Sequence, residues 1–416
     1  MNPLDNPFSP GAGNSPPDLA GRVELLRHIE ILLARIKAGR TEQSMFMVGL
    51  RGVGKTVLLN RVREMAVAQG YQAVLIESHE SKPLPQLLLP PLRQTLFALD
   101  RMQNISQKVK RGLRVLRSFM GTVKVKVGDA EFGLDIDPET GSADSGDLEA
   151  DLAELFVVIA EAAADRKTAV AIIIDELQYM TENEMSALIM AIHRISQRKL
   201  PLVLIGAGLP QLVGLAGKSK SYAERLFTYP EVGALSEEDA AQALQGPVVS
   251  QGVSFTPDAL AEVYRVTQGY PYFLQEWGYQ SWNMADHSPI DRALILQTTV
   301  ASTARLDSSF FRVRFDRLTP REKDYLCALA EMGMGNQRSG GIAERLGVKV
   351  QTIAPLRSSL IKKGMIYSPA HGDTAFTVPL FDQFMLRTMP NGPRKANPST
   401  GQPAIVLGDK PWQRPP

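Results

Sequence analysis

SMFMVGLRGVGKTV, residues 44–57, decides the fold. Gly49, Gly54, Lys55 and Thr56 fit the pattern G-x-x-x-x-G-K-[ST]. An apolar run over 45–48 precedes the motif, and the helix-compatible VLLNRVREMAVAQG follows it. Strand, loop and helix in that order are the context a phosphate-binding loop needs.

The residue types explain the chemistry. Glycines let backbone N–H groups turn inward to phosphate oxygens, and the following helix N-terminus adds partial positive charge. Gly49, Leu50, Arg51, Gly52, Val53, Gly54, Lys55, Thr56 and Val57 are therefore the expected nucleotide cradle. Lys55 bridges the outer phosphates in this reading, and the Thr56 hydroxyl binds Mg²⁺, making ATP and Mg²⁺ the expected cofactors.

A second motif, TAVAIIIDELQ, occupies residues 168–178. Its unbroken apolar run predicts a strand covered on both faces, as in a parallel sheet between helices. At the strand's C-terminal edge, Asp175 suits the metal shell and Glu176 the base that activates water. PLVLIGAG, over 201–208, reads as a further buried strand, so the expected class is α/β with a parallel sheet sandwiched by helices.

The 416 residues carry a net charge of +2, so a nucleic-acid footprint must be local. One cysteine, Cys327, excludes an internal disulfide and fits a reducing cytoplasm. No run of eighteen apolar residues and no charged-then-apolar leader pattern occur, which predicts a cytoplasmic protein without a membrane partner. Residues 101–126 hold Arg101, Lys108, Lys110, Arg111, Arg114, Arg117, Lys124 and Lys126 without an acid, whereas 129–154 hold ten acids and no base. The favoured reading is a solvated insertion, about 101–150, whose halves neutralise one another, with a hairpin turning at Gly128-Asp129.

Residues 1–20 read as a flexible segment, 21–235 as the P-loop domain and 236–310 as a helical lid. GRVELL, GLRGVGKT, IIIDELQ, PLVLIGAG and YAERLFTYPEVGALSEEDAAQAL together resemble the AAA+ ATPases of the origin-recognition and archaeal initiator type, over roughly residues 15–390. The resemblance implies that Arg22 belongs to the nucleotide pocket. It also implies that Arg225 is an arginine finger acting on a neighbouring subunit, and hence a homo-oligomer or a protein partner. Two departures stand out. Gly206-Ala207-Gly208 takes the place of a polar sensor, and Pro271-Tyr272 takes that of a sensor arginine. Both imply weak or conditional hydrolysis, as in signal-transduction ATPases.

From residue 318 the pattern becomes three helices and a two-stranded wing, with a capping box at Thr319 and Glu322. This predicts a winged helix over 318–390, followed by a disordered tail over 391–416 that includes Trp412. Residues 318–416 carry 13 Lys and Arg against 7 acids. Lys349, Gln351, Thr352, Arg357, Lys362 and Lys363 are the expected DNA contacts on or beside the third helix, which Pro355 should kink or delay. The expected function couples nucleotide state to DNA. The alternatives are a signalling switch whose winged helix contacts protein, or a transposition or plasmid-maintenance ATPase.

Overall fold

The computed structural model describes residues 1–11, 13, 14, 16, 19–100, 106–122, 137–370 and 372–395. The hairpin expected within 123–136, Arg101, Lys124, Lys126, Trp412 and the tail from 396 onward lie outside these. The chain divides into two compact units, Met1–Ser302 and Thr303–Pro416.

The first unit is built on a sheet in the order β2-β3-β4-β1-β5, every pairing parallel. Its strands are β1 (Ser44–Val48), β2 (Tyr71–Glu77), β3 (Ala169–Asp175), β4 (Leu202–Gly208) and β5 (Phe227–Thr228). Val and Ile dominate β3, which is buried along its whole length because both of its faces are covered. On one face Phe46, Val48, Ile172, Ile174 and Leu204 join a core with α3 (Leu84–Asp100), α4 (Gln107–Thr122), α5 (Leu148–Asp165) and α6 (Glu182–Gln197). The alternate residues Met45, Ile173 and Ile205 are equally buried, and α1 (Val23–Lys37) and α2 (Lys55–Ala68) also pack against the sheet. Strand alternation thus gives one apolar strand two cores.

Helices α7 (Leu212–Ser219) and α8 (Ala223–Leu226) follow β4. After β5 come α9 (Glu237–Val249), α10 (Pro257–Thr267) and α11 (Pro271–Met284), packed against one another. Ser236 caps α9 by accepting the Asp239 N–H at 3.1 Å, as its sequence predicts.

Two expectations are corrected here. The basic stretch is not simply solvated: α4 buries Val109, Leu113, Leu116 and Phe119 in the core. Its Arg111 pairs with Glu139 at 2.9 Å and with Glu154 and Glu161 at 3.7 Å, so the charge split closes on itself as expected. The N-terminal segment is not loose either. Phe8 is 2% exposed, and a Cβ on Gly278 of α11 would stand 2.6 Å from its ring. Trp282 Nε1 donates to Asn2 O at 2.8 Å, and Asn6 Nδ2 donates to Tyr279 O at 3.0 Å. Residues 2–8 are thereby laid along α11.

In the second unit, α12 (Pro320–Glu331), α13 (Ser339–Leu346) and α14 (Val350–Lys362) precede a small antiparallel sheet of order β6-β8-β7. Its strands are β6 (Gln337–Arg338), β7 (Ile366–Tyr367) and β8 (Asp373–Phe376). The wing hairpin matches expectation, whereas β6 is too short to leave a sequence signal. The Thr319–Glu322 capping box is formed on both sides. Contrary to the expected kink, α14 runs through Pro355, which is exposed so that its ring meets solvent. Phe381 and Phe384 of α15 (Phe381–Thr388) close the core on Phe311 at centroid distances of 5.7 and 5.3 Å. Cys327 is buried within this unit, and burial pushes its thiol up to about 11.

Candidate nucleotide-binding site

β1 ends at Val48, and the chain turns back on itself before α2 begins at Lys55. Gly52 and Gly54 adopt φ of +85° and +93°, conformations that residues with a Cβ rarely adopt. Gly49 is required for a different reason: a Cβ there would lie 2.1 Å from the Val232 carbonyl oxygen. The resulting loop wraps the Lys55 ammonium, whose Nζ donates to Gly49 O at 2.9 Å and Leu50 O at 2.8 Å. Burial lowers the Lys55 pKa to about 8, with Arg51 pushing the same way and Glu176 and Asp175 opposing.

Asp175 reaches this loop from the end of β3, although β4 lies between β3 and β1 in the sheet. Thr56 Oγ1 donates to Asp175 Oδ2 at 2.6 Å, joining residues 119 apart in sequence. The Asp175 pKa is raised chiefly by burial, with the Thr56 hydrogen bond opposing the shift. Glu176 follows at φ +55°, and its N–H donates to Asp175 Oδ1 at 2.8 Å. A non-glycine residue in this region carries strain of order 1–3 kcal/mol, and here it bends the chain off the strand end.

Gln178 is a site residue that sequence reasoning passed over. Its Nε2 donates to Glu176 Oε2, and its Oε1 accepts the Leu209 N–H at 3.0 Å. The glycines read as a missing sensor make room for this turn. A Cβ on Gly206 would meet Leu177 at 2.3 Å, and one on Gly208 would meet Gln178 Oε1 at 2.9 Å. A polar side chain from the turn after β3 thus stands against the end of β4, where the strand itself offers none. The only signal was the glutamine closing IIIDELQ.

Arg51, Arg22 and Arg225 differ in position. Arg51 Nη2 donates to Tyr179 OH at 2.7 Å. Arg22 sits at the N-cap of α1 and donates to the Gly233 carbonyl, and its pKa is lowered by burial. Arg225 on α8 is exposed, and among the described residues its side chain makes no hydrogen bond or ion pair.

The second unit divides the expected DNA contacts. Lys349, Gln351, Thr352 and Lys362 are exposed on or beside α14. Arg357 instead donates to Thr374 Oγ1 at 3.0 Å and to Ser368 Oγ and Asp373 O at 2.7 Å, bracing the wing. Lys363 pairs with the buried Glu322 at 2.6 Å. Both cations are thus engaged by groups of the same unit, Arg357 half-buried and Lys363 exposed.

Residues 18–205 match the family AAA ATPase domain. Residues 308–385 match the family described as Domain of unknown function (DUF8462). The Walker-type ATPase Paby2304 of Pyrococcus abyssi is similar over 89% of this chain and 97% of its own, at 17% identity and a TM-score of 0.55, a likeness of fold. The Aeropyrum pernix ORC2 protein in its ADP form matches at 15% identity and a TM-score of 0.48, covering 91% of this chain and 97% of its own. The Aeropyrum pernix ORC1 protein in complex with DNA matches at 15% identity and a TM-score of 0.46, covering 90% and 94%. No curated protein matches the chain. Among the described residues, no helix is long and apolar enough to cross a membrane, and no cluster of three or more metal-ligating side chains occurs.

Proposed function

We propose that the protein binds ATP with Mg²⁺ in the loop of residues 49–57, hydrolyses it slowly, and couples nucleotide state to DNA engagement by its winged helix. The observation that carries the nucleotide part is the hydrogen bond between Thr56 and Asp175. A hydroxyl and a carboxylate from separate motifs converge where a cation bound to phosphate would be held. The buried Lys55 and the positive-φ glycines fit a polyphosphate, which returns a counter-charge to an ammonium taken out of water. Mg²⁺, when bound, neutralises phosphate charge. Of the chain's own groups, Lys55 orients the phosphates, Thr56 and Asp175 hold the metal shell, and Glu176 takes the proton of the attacking water.

Slow turnover is supported by Pro271 and Tyr272, which stand where a sensor arginine was expected. Glu176→Gln and Lys55→Ala test the assignment: phosphate release falls to background in Glu176→Gln while ATP still binds, and binding itself is lost in Lys55→Ala. Hydrolysis by Glu176→Gln at the wild-type rate refutes Glu176 as the base. For the DNA part, the exposed Lys349, Gln351, Thr352 and Lys362 are the contact set, and titration at several salt concentrations should give a steep log–log slope.

A second reading is favoured by the internal use of Arg357 and Lys363, which leaves fewer cations for phosphates. In it the winged helix contacts protein and the ATPase locks or releases that contact. Arg225, exposed on α8, fits an arginine finger in an oligomer, tested by mass in solution with and without ATP.

A further inference from the structure

Arg51 is the second cation of the phosphate loop, and its environment differs from that of Lys55. Among the described residues its guanidinium has one hydrogen-bonding partner, the neutral phenol of Tyr179, and its Nε is buried without one. Among the described residues no carboxylate forms an ion pair with it within 4.0 Å. A guanidinium that is half-buried next to another cation, without an acid to neutralise it, is suited to an anion. Its positive charge acts with burial to lower the Lys55 pKa, as expected of two cations in one loop.

The direction in which Arg51 faces follows from its partner. Tyr179 closes the 3-10 turn Leu177–Tyr179 that begins directly after Glu176. The guanidinium therefore stands on the side of the loop nearest the proposed base. That is where the terminal phosphate must lie for Glu176 to direct water at it.

The backbone of the same residue is tied to α11. Tyr270 OH donates to the Arg51 carbonyl, and Tyr272 N–H donates to the Gly52 carbonyl at 3.3 Å. Gly52 permits this approach, since a Cβ there would lie 3.0 Å from the Tyr270 ring and 3.3 Å from Tyr272 Cβ. Tyr270 is 3% exposed, so the joint is packed as well as hydrogen-bonded. At this point of the helical segment, where a sensor arginine was expected, the chain has Pro271 and Tyr272.

Resting on the ATP reading above, we propose that Arg51 senses the terminal phosphate of a nucleoside triphosphate, in place of an arginine from the lid, and relays its presence to α11 through Tyr270. When the γ-phosphate is present, the guanidinium exchanges the Tyr179 hydroxyl for phosphate oxygens, a bidentate and charge-assisted contact. The shift is passed through the Arg51 backbone to the Tyr270 hydroxyl, and so to the start of α11. With a diphosphate, Arg51 keeps its phenol partner. A nucleotide shifts this equilibrium only by its differential affinity for the two states, and the γ-phosphate supplies that difference.

The test measures binding of ADP and of a non-hydrolysable ATP analogue, with Mg²⁺, to the full chain. In Arg51→Gln the analogue-to-ADP affinity ratio is expected to fall about tenfold or more, the scale of a lost charge-assisted contact. Tyr179→Phe removes the neutral partner that phosphate must displace, and the ratio is expected to rise. Tyr270→Phe is expected to abolish the difference in amide exchange along 271–284 between the analogue-bound and ADP-bound protein. A ratio unchanged in both Arg51→Gln and Tyr179→Phe overturns the proposal, as does equal weakening of both nucleotides in Arg51→Gln. Binding of neither nucleotide by the wild-type protein removes the ATP reading itself. Should Arg51→Gln not fold, Tyr179→Phe still decides the matter by the sign of its change.

Discussion

The side-chain amide of Gln178 holds the carboxylate of Glu176, donating through Nε2 while its own oxygen is fixed by the Leu209 N–H at 3.0 Å. The proposed base is thus aimed by a residue two positions further along the same turn. Gln178→Ala is expected to lower kcat for ATP by about ten- to a hundredfold, the scale of a misaligned reacting group. KM should stay within about threefold, since the phosphate contacts lie elsewhere. An equal fall in nucleotide affinity would mean that Gln178 supports the loop and not the base.

Lys55 gives nucleotide binding a pH dependence with a definite sign. In the free protein its pKa is lowered to about 8, so above that value the loop is neutral at this position. Phosphate binds the ammonium form and raises its pKa, and each binding event above pH 8 therefore takes up a proton. ADP affinity should be flat below about pH 7 and fall by up to about tenfold per unit above pH 8. Calorimetry in buffers of different ionisation enthalpy checks the uptake, and release of a proton would refute the assignment.

Phe8 and Gly278 form a plug and socket. Truncating Phe8 to Ala removes a buried ring, a change that typically costs about 3–5 kcal/mol in a core. The expected result is rapid amide exchange in 2–8 and along α11, with little change in the sheet. Gly278→Ala should give the same exchange pattern, since its Cβ would meet the Phe8 ring at 2.6 Å. Protection retained in both variants would show that the segment is held by its backbone contacts alone.

The winged helix depends on Glu322. Burial alone would raise its pKa, but Lys363, Thr319 and Ser359 outweigh that effect and hold the carboxyl down to about 2. With a depressed folded-state pKa, this stabilisation is present above about pH 4.5 and is lost as pH falls through about 2. Lys363→Ala is expected to destabilise the second unit by about 1–3 kcal/mol, read as a lower melting transition of the full chain. If it weakens DNA binding without moving the melting curve, Lys363 is a contact and not a brace.

Arg357→Ala and Lys362→Ala separate bracing from contact in the same way. Arg357 makes three hydrogen bonds to the wing, so its loss should be felt in stability. Lys362 is exposed and should, if it meets phosphate, reduce the salt slope of DNA binding by about one unit while leaving melting unchanged.

The architecture could be read from a few segments because each carried a strong local pattern. Unbroken apolar strands ending in glycine or in acids, and a capping box ahead of an apolar helix, need no distant information. Lys55, Thr56, Asp175 and Glu176 stood out as candidates for the same reason, since their chemistry is bound to motifs, and the fold brings Thr56 and Asp175 into contact. Gln178, Tyr179 and Tyr270 were not, because an amide or a phenol has no spacing rule and acquires its role only when β4 and α11 arrive beside it. The phenylalanine at position 8 lay in a proline-rich stretch and gave no periodicity; its partner is a glycine 270 positions later. For Arg357 and Lys363 the positive charge on or beside a recognition-type helix was legible, but their partners beyond the helix, the wing and Glu322, were not.

Residues 2–8 have consequences for how the chain is made. Their hydrogen bonds reach Gln251, Tyr279 and Trp282, partners that lie 246 to 280 residues further along the chain. The β1–β4 pairing waits in the same way, since Met45 must meet Ile205. Long loops must close before such pairings return any stability. Residues 2–8 therefore settle long after they are made, and until α11 emerges the phosphate loop is present without the helix that Tyr270 anchors to it.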